Sequence, residues 1–478
     1  MGTMNRLIAR TAEIATLERK WNSGKAEFII VYGRRRIGKT FLVNNVFAKR
    51  FTFTYVGARN QTNKQQLQNF ARQLKEFSKS AYTPALNSWE EAFEALRLLI
   101  EKRPASERKV IFFDEMPWID TPRSTFINAF EYFWNAWAAQ RNDILFIACG
   151  SATSWMVNKL IRNKGGLHNR ITEQIYLRPF HLGECEEFLH KNGCHWDRYT
   201  ILQCYMAMGG VPYYLSLLNP QESLAQNIDR LYFSKNAPMR EEFDELFHAL
   251  FRNANDYIAV MTALSGSREG LLRSDIIKRS GLSGGTLTKI LENLERCDFI
   301  ERYASFHAIV RNAVYRICDP YTLFYFKFID GKNSKDIHWW SSNMHSRQVE
   351  VWQGFSFGTV CMSHLEQIKH KLGISGISTE TSTWRKTGDQ NDKGTQIDLV
   401  IERGDRVINL IEIKFASAPY VITKEYEKLL RERMAIFQSD TKTRKSVVNT
   451  FVTTYGVMKG IHYSIVQSEV LMDDLFEA

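Results

Sequence analysis

Two rhythms of apolar and polar positions run through the first 180 residues. Short apolar, β-branched or aromatic runs fall at 27–32, 51–56, 109–114, 143–149 and 172–177. Runs of this length and composition predict strands buried in a sheet. Between them, apolar side chains recur at helical spacing over 8–21, 40–47, 62–78 and 88–102. Strands alternating with helices predict an α/β fold built on a parallel sheet. From 183 to 250 the pattern reads as several short helices, with Gly209-Gly-Val-Pro212 between two of them. Helices over 257–264, 273–278 and 283–296, the last capped by Ser283, lead into strands at 299–303 and 313–317, which is a winged helix-turn-helix pattern. Thr286, Lys289 and Asn293 fall on the exposed side of its third helix. They can meet DNA, or the module can pack on protein. Residues 394–401 and 407–415 alternate as two strands of a hairpin around a polar turn at 402–406. Alternation puts Ile411, Ile413 and Phe415 on one face and Glu412 and Lys414 on the other. It packs Ile397, Leu399 and Ile401 together, away from Gln396 and Asp398. The expected domains are 1–180, 181–252, 253–330 and 331–478.

Length agrees with several domains, since 478 residues exceed what one core organises. A hydrophobic content of 44% and an aromatic content of 13% say globular. The formal charge of +11 favours an anionic partner such as nucleic acid, DNA first, although Lys and Arg are spread along the chain. Seven cysteines at irregular spacing suggest reduced thiols and a cytoplasmic protein. Cys185, Cys194, His195 and Cys204 lack zinc-ligand spacing and read as buried groups. No apolar run is long enough to span a bilayer, so a membrane is not an expected partner.

Chemistry concentrates first at Gly33-Arg-Arg-Arg-Ile-Gly-Lys-Thr40, a G-x-x-x-x-G-K-T loop between a strand and a helix. Gly33 and Gly38 let the backbone N–H groups curl around phosphate oxygens. Lys39 supplies charge for the β- and γ-phosphates of ATP, Thr40 can ligate Mg²⁺, and the helix N-terminus adds its dipole. The strand ending in Asp114-Glu115 supplies the other half. Asp114 would join the Mg²⁺ shell, and Glu115 would orient and polarise the attacking water. Ser151, at the tip of the next strand, is a candidate γ-phosphate sensor or an ordinary helix cap.

The stretches Phe113-Asp-Glu-Met-Pro-Trp118, Cys149-Gly-Ser151 and Leu177-Arg-Pro-Phe180 resemble the archaeal-type P-loop ATPases, a group related to AAA+ and STAND proteins. The resemblance implies ATP hydrolysis, a helical lid turned at Gly209–Pro212, and an arginine finger or sensor at Arg170, a position that a plain surface arginine would fill equally well. A finger acting in trans would make the active form a homo-oligomer; a protein partner is also open. The family's opening hydrophobic-Gly-Arg motif is Ile8-Ala9-Arg10 here, with Ala in place of Gly.

Asp398, Glu412 and Lys414 form the third candidate group. An Asp398–Glu412 cross-strand pair needs a hairpin centred near residue 405, and so an odd loop or a bulge. Asp…Glu-x-Lys resembles the core of PD-(D/E)xK nucleases. That resemblance implies Mg²⁺ held by Asp398 and Glu412, with Lys414 acting on the water. The residues alone also fit a solvent-facing Glu/Lys pair. The stretch to about 478 is similar to the C-terminal domain of unknown function that accompanies archaeal-type ATPases. Related chains carry a glutamate on the first helix of the nuclease core, where this chain has Gly358 in Gly354-Phe-Ser-Phe-Gly358. The expected function is an ATP-driven switch coupled to a DNA-processing nuclease-like domain. The alternative is a nucleotide-regulated DNA- or protein-binding scaffold whose nuclease-like domain no longer cuts.

Overall fold

The structure is a computed structural model, and it describes residues 7–307, 313–332, 336–386 and 394–477. Two compact units divide the chain at Arg178/Pro179.

The first unit is a parallel sheet between helical layers. Its strands are β1 (Glu27–Tyr32), β2 (Phe51–Val56), β3 (Lys109–Asp114), β4 (Ile144–Gly150) and β5 (Glu173–Tyr176), in the order β2-β3-β4-β1-β5. All four pairings are parallel. β3 and β4 are buried along their whole length, which is why they read as continuous apolar runs. One face of the sheet packs Phe28, Phe53, Phe113 and Phe146 against the helices Asn63–Ser78, Trp89–Glu101 and Phe126–Ala136. The other face packs Ile29, Val31, Phe112 and Ile147 against Leu17 and Leu42.

The helix expected over 8–21 begins only at Thr11, because Ala9 and Arg10 both take left-handed backbone angles, with φ of 58° and 62°. Arg10 turns inward and donates to the Arg178 carbonyl at 2.5 Å. A Cβ at such an angle costs roughly 1–2 kcal/mol. Ala9→Gly is therefore expected to raise stability by about 0.5–1 kcal/mol after the entropy of the extra glycine is subtracted, read as a shift of the denaturation midpoint.

The second unit opens with helices Leu182–Lys191, Arg198–Met208 and Pro238–Leu250. The Gly209–Pro212 turn depends on Gly210, where a Cβ would collide with the Phe180 carbonyl. Helices Ala254–Ser265, Arg273–Ser280 and Gly284–Arg296 follow. With them goes an antiparallel sheet of β6 (Leu271–Leu272), β8 (Val314–Ile317) and β7 (Ile300–Tyr303) in that order. On the third helix Thr286 and Lys289 are exposed, whereas Asn293 is half-buried and donates to the Tyr257 hydroxyl at 2.6 Å. Asn293 is thus committed inside the protein, contrary to its sequence reading.

The last part of the unit is a mixed sheet of β9 (Thr379–Lys386), β10 (Thr395–Arg403), β11 (Val407–Lys414), β12 (Ser446–Thr453) and β13 (Ser468–Leu471). β9, β10 and β11 pair antiparallel, and β11, β12 and β13 parallel. Helix Arg347–Ser363 contacts it through Phe357 on Phe415. Helix Lys424–Thr441 covers the Ile408 and Leu410 side through Phe437. A register shift between Ile397 and Val400 bulges β10. It places Ile397 in one cluster with Val400, not with Leu399 and Ile401 as strict alternation predicts.

Candidate functional site

The phosphate loop leaves β1 at Gly33 and enters helix Lys39–Val46 at Gly38. Gly33 (φ 144°) must be glycine, since a Cβ there would collide with the Leu177 carbonyl and the Ile37 side chain. Gly38 caps the helix at φ 87° and supplies no side-chain cap. The helix N–H groups are thus left for an anion, and a Cβ on Gly38 would meet nothing within 4 Å. Lys39 is buried, and its Nζ donates to the carbonyls of Gly33 at 3.0 Å and Arg34 at 2.7 Å, so the lysine is folded over the loop.

β3 delivers Asp114 to the same edge of the sheet. The Thr40 hydroxyl donates to Asp114 Oδ2 at 2.7 Å. The second carboxylate oxygen of Asp114 accepts the Glu115 N–H at 2.9 Å. Glu115 itself is left-handed (φ 45°), so its side chain leaves the strand direction at the sheet edge. Ser151, just past β4, donates its hydroxyl to Glu115 Oε1 and Oε2 at 2.9 Å each, and its N–H to Oε2 at 3.2 Å. A chain of contacts thus links Thr40, Asp114, Glu115 and Ser151 beside Lys39. Beneath it, burial and the neighbouring Asp114 push the Cys149 thiol well above its usual range, so it stays protonated.

Such a set fits a nucleotide and Mg²⁺: a free helix N-terminus, a buried lysine, a hydroxyl paired with a carboxylate, and a second carboxylate one residue on. Arg170 lies outside the cluster. It is exposed and precedes β5, where the Thr172 N–H bonds the Phe28 carbonyl. The loop begins five residues further along β1, about 16 Å away at strand rise, beyond an arginine side chain's reach.

In the second unit the hairpin pairs Leu399 with Ile411 and Val400 with Leu410. This register is centred on residue 405, as an Asp398–Glu412 pair requires. The ladder stops at Leu399–Ile411, however, and the bulge sits at this point. Asp398 accepts from Gln396 Nε2 at 2.7 Å. Glu412 is fully engaged: Oε1 takes the Tyr426 hydroxyl at 2.7 Å and Lys414 Nζ at 3.0 Å, and Oε2 takes Arg433 Nη1 at 2.6 Å. Burial pushes its carboxyl up, but Lys414, Arg433 and the Tyr426 hydroxyl outweigh burial and hold it below its ordinary range. Arg433 and Tyr426 gave no signal in the sequence as partners of Glu412, because both lie on the following helix.

In this structure the Glu412 oxygens that a Mg²⁺ ion would take are held by two cations and a phenol, and Gly358 supplies no third carboxylate. Among the described residues no group of three or more His, Cys, Asp or Glu can hold a metal. The cysteines at 185, 194 and 204 are buried and none of them is in a disulfide.

Sheet order, loop and carboxylate pair in the first unit resemble those of a P-loop ATPase domain. Residues 7–218 match the family model of an ATPase domain predominantly from Archaea. An uncharacterized protein of Methanocaldococcus jannaschii is 24% identical over 92% of this chain and 95% of its own length. An uncharacterized ATP-binding protein of the same organism is 58% identical over 36 residues, which is 8% of this chain and 61% of that protein. Among solved structures, a Walker-type ATPase of Pyrococcus abyssi superposes with a TM-score of 0.49 at 17% identity, over 67% of this chain and 96% of that one. No helix of the described residues is long and apolar enough to cross a membrane.

Proposed function

We propose that the chain is an ATP-binding and ATP-hydrolysing switch whose second unit acts on DNA through a nuclease-like module. The modules are the ATPase core (1–180), a helical lid (181–252), a winged helix (253–330) and the nuclease-like domain (331–478). The observation that carries the reading is the contact chain Thr40–Asp114–Glu115–Ser151 beside Lys39. Lys39 binds the β- and γ-phosphates, and the loop N–H groups hold them in place. Thr40 and Asp114 would hold Mg²⁺, which neutralises phosphate charge when bound. Glu115 orients the attacking water and accepts its proton, while Ser151 fixes the Glu115 carboxylate and reports whether the γ-phosphate is present. Arg170 serves in trans on a neighbouring copy.

For the second unit the residues favour holding nucleic acid over cutting it, because Glu412 is neutralised by Lys414 and Arg433. The hairpin register favours retained cleavage, and one experiment separates the two. The full chain is incubated with plasmid and single-stranded DNA in Mg²⁺ or Mn²⁺, with and without ATP, beside Lys39→Ala and Asp398→Ala. The expected result is DNA binding without cleavage, and ATP turnover that Lys39→Ala abolishes. Wild-type protein that neither binds nor hydrolyses ATP sinks the switch. Cleavage that Asp398→Ala removes replaces the binding role with a nuclease.

A further inference from the structure

The wing and the last sheet of the second unit share a hydrogen-bonded edge. The Phe306 N–H donates to the Thr383 carbonyl at 2.7 Å, and the Thr383 N–H to the Ala304 carbonyl at 3.2 Å, so the chain beyond β7 pairs with β9. His307 adds a contact to Glu402 at 2.9 Å, and the Phe306 ring packs on Phe437. Beside this junction lies a cavity of about 790 Å³, lined by Tyr303 and Arg316 of the wing, Asp398 and Glu412 of the sheet, and Gly358 and Arg433 of its helices.

Arg316 is the unusual member. Its guanidinium stacks over the Tyr303 ring at 4.8 Å. Nε and Nη2 are shielded from solvent and meet no hydrogen-bond partner among the described residues. Arg433 gives Nη1 to Glu412, and its buried Nε is also without a partner. Burial depresses the Arg316 pKa, with Glu301 and Asp398 opposing it, and a guanidinium stays charged regardless. Buried donors are rarely left unpaired, so two arginines with spare donors on one cavity favour an acceptor there. Arg268 and Arg385 also line the cavity, as do Glu269 and Asp275, so its charges balance, and it is the spare donors of Arg316 and Arg433 that point to an anion. Gly354 and Gly358 add room: a Cβ on either meets nothing within 4 Å, although glycine inside a helix costs stability. The volume is that of a small-ligand pocket, suited to a nucleotide-sized guest and not to a duplex.

We propose that this cavity seats a phosphate of a nucleic-acid strand, with Arg316 and Arg433 as the anion ligands and the glycine face of helix Arg347–Ser363 as its wall. The wing thereby contributes a binding residue to the nuclease-like module. This rests on the reading of the second unit as a nucleic-acid module. Strand binding by the full chain is measured by fluorescence anisotropy with a short labelled single strand in EDTA. Arg316→Gln is expected to weaken binding tenfold or more, and Arg316→Lys to keep part of it. Gly358→Leu, which fills the cavity without changing charge, is expected to weaken it comparably. Thermal melts run in parallel should show all three variants folded. Wild-type binding that both Arg316→Gln and Gly358→Leu retain in full overturns the phosphate seat and leaves the broader reading standing. A wild type that binds no strand removes the broader reading itself. Pyrophosphate is the competing arm: if it raises the thermal midpoint and the strand does not, the guest is a free phosphate and the strand assignment is overturned.

Discussion

Glu115→Gln is expected to slow ATP turnover by at least about a hundredfold while leaving ATP affinity within a factor of a few. Glutamine keeps the length of the side chain and can still accept the Ser151 hydroxyl, which lies 2.9 Å from both carboxylate oxygens. It cannot take a proton from water, and it removes the negative charge that orients that water. The phosphate-holding parts, Lys39 and the N–H groups of the loop, are untouched. Lys39→Ala has the contrasting signature, losing nucleotide binding and turnover together. Steady-state hydrolysis and the affinity for a fluorescent ATP analogue, measured on the same preparations, separate the two. Glu115→Gln protein that still hydrolyses ATP at a wild-type rate would remove Glu115 from the role of base. A loss of affinity as large as the loss of rate would make it a binding group instead.

The second large effect is on stability. Glu412→Ala is expected to destabilise the second unit by about 3 kcal/mol, because it strands Lys414, Arg433 and the Tyr426 hydroxyl around an empty position. In a thermal melt that is a lowering of the midpoint by roughly 5–10 °C. Glu412→Gln, which keeps an acceptor for Tyr426 but not the charge, should lose less. The pH dependence has a definite sign. The Glu412 carboxyl is held below its ordinary value near 4.5, so its contribution is complete above that value and drains away as pH falls through the lower folded value. Wild type should therefore lose stability faster than Glu412→Gln on acidification below about pH 4.5. An unchanged melt in Glu412→Ala would mean that the three donors find water as good a partner.

The first unit was legible in the sequence because its strands are buried on both faces, and apolar runs such as Ile144–Cys149 end at polar residues or glycine. The Gly33–Thr40 spacing and the Asp114–Glu115 pair then fixed two ends of one site. Helix Phe126–Ala136 escaped the reading, although Asn128, Glu131 and Asn135 recur at helical spacing opposite the buried Phe126, Phe130, Phe133 and Trp134. Ser151 was placed at the site, but its partner Glu115 was not foreseen, since a strand tip reveals position and not direction. The bulge in β10 was hidden for a different reason. No glycine or proline marks Ile397–Val400, so alternation carried straight through it and assigned Ile397 to the wrong companions. Arg316 looked like any charge on a short strand. Only the long-range approach of the wing to β9 brings it beside Asp398 and Glu412.

That approach also bears on solubility. β9 is the outermost strand of its sheet, and an uncovered edge offers unpaired N–H and C=O groups to any other strand in solution. The wing segment at 304–306 occupies part of that edge through the Thr383 backbone. A chain cut near residue 330 would separate the last sheet from its cover. The isolated piece would then carry a longer adhesive margin than it ever shows in the whole protein, and self-association is what such a margin invites.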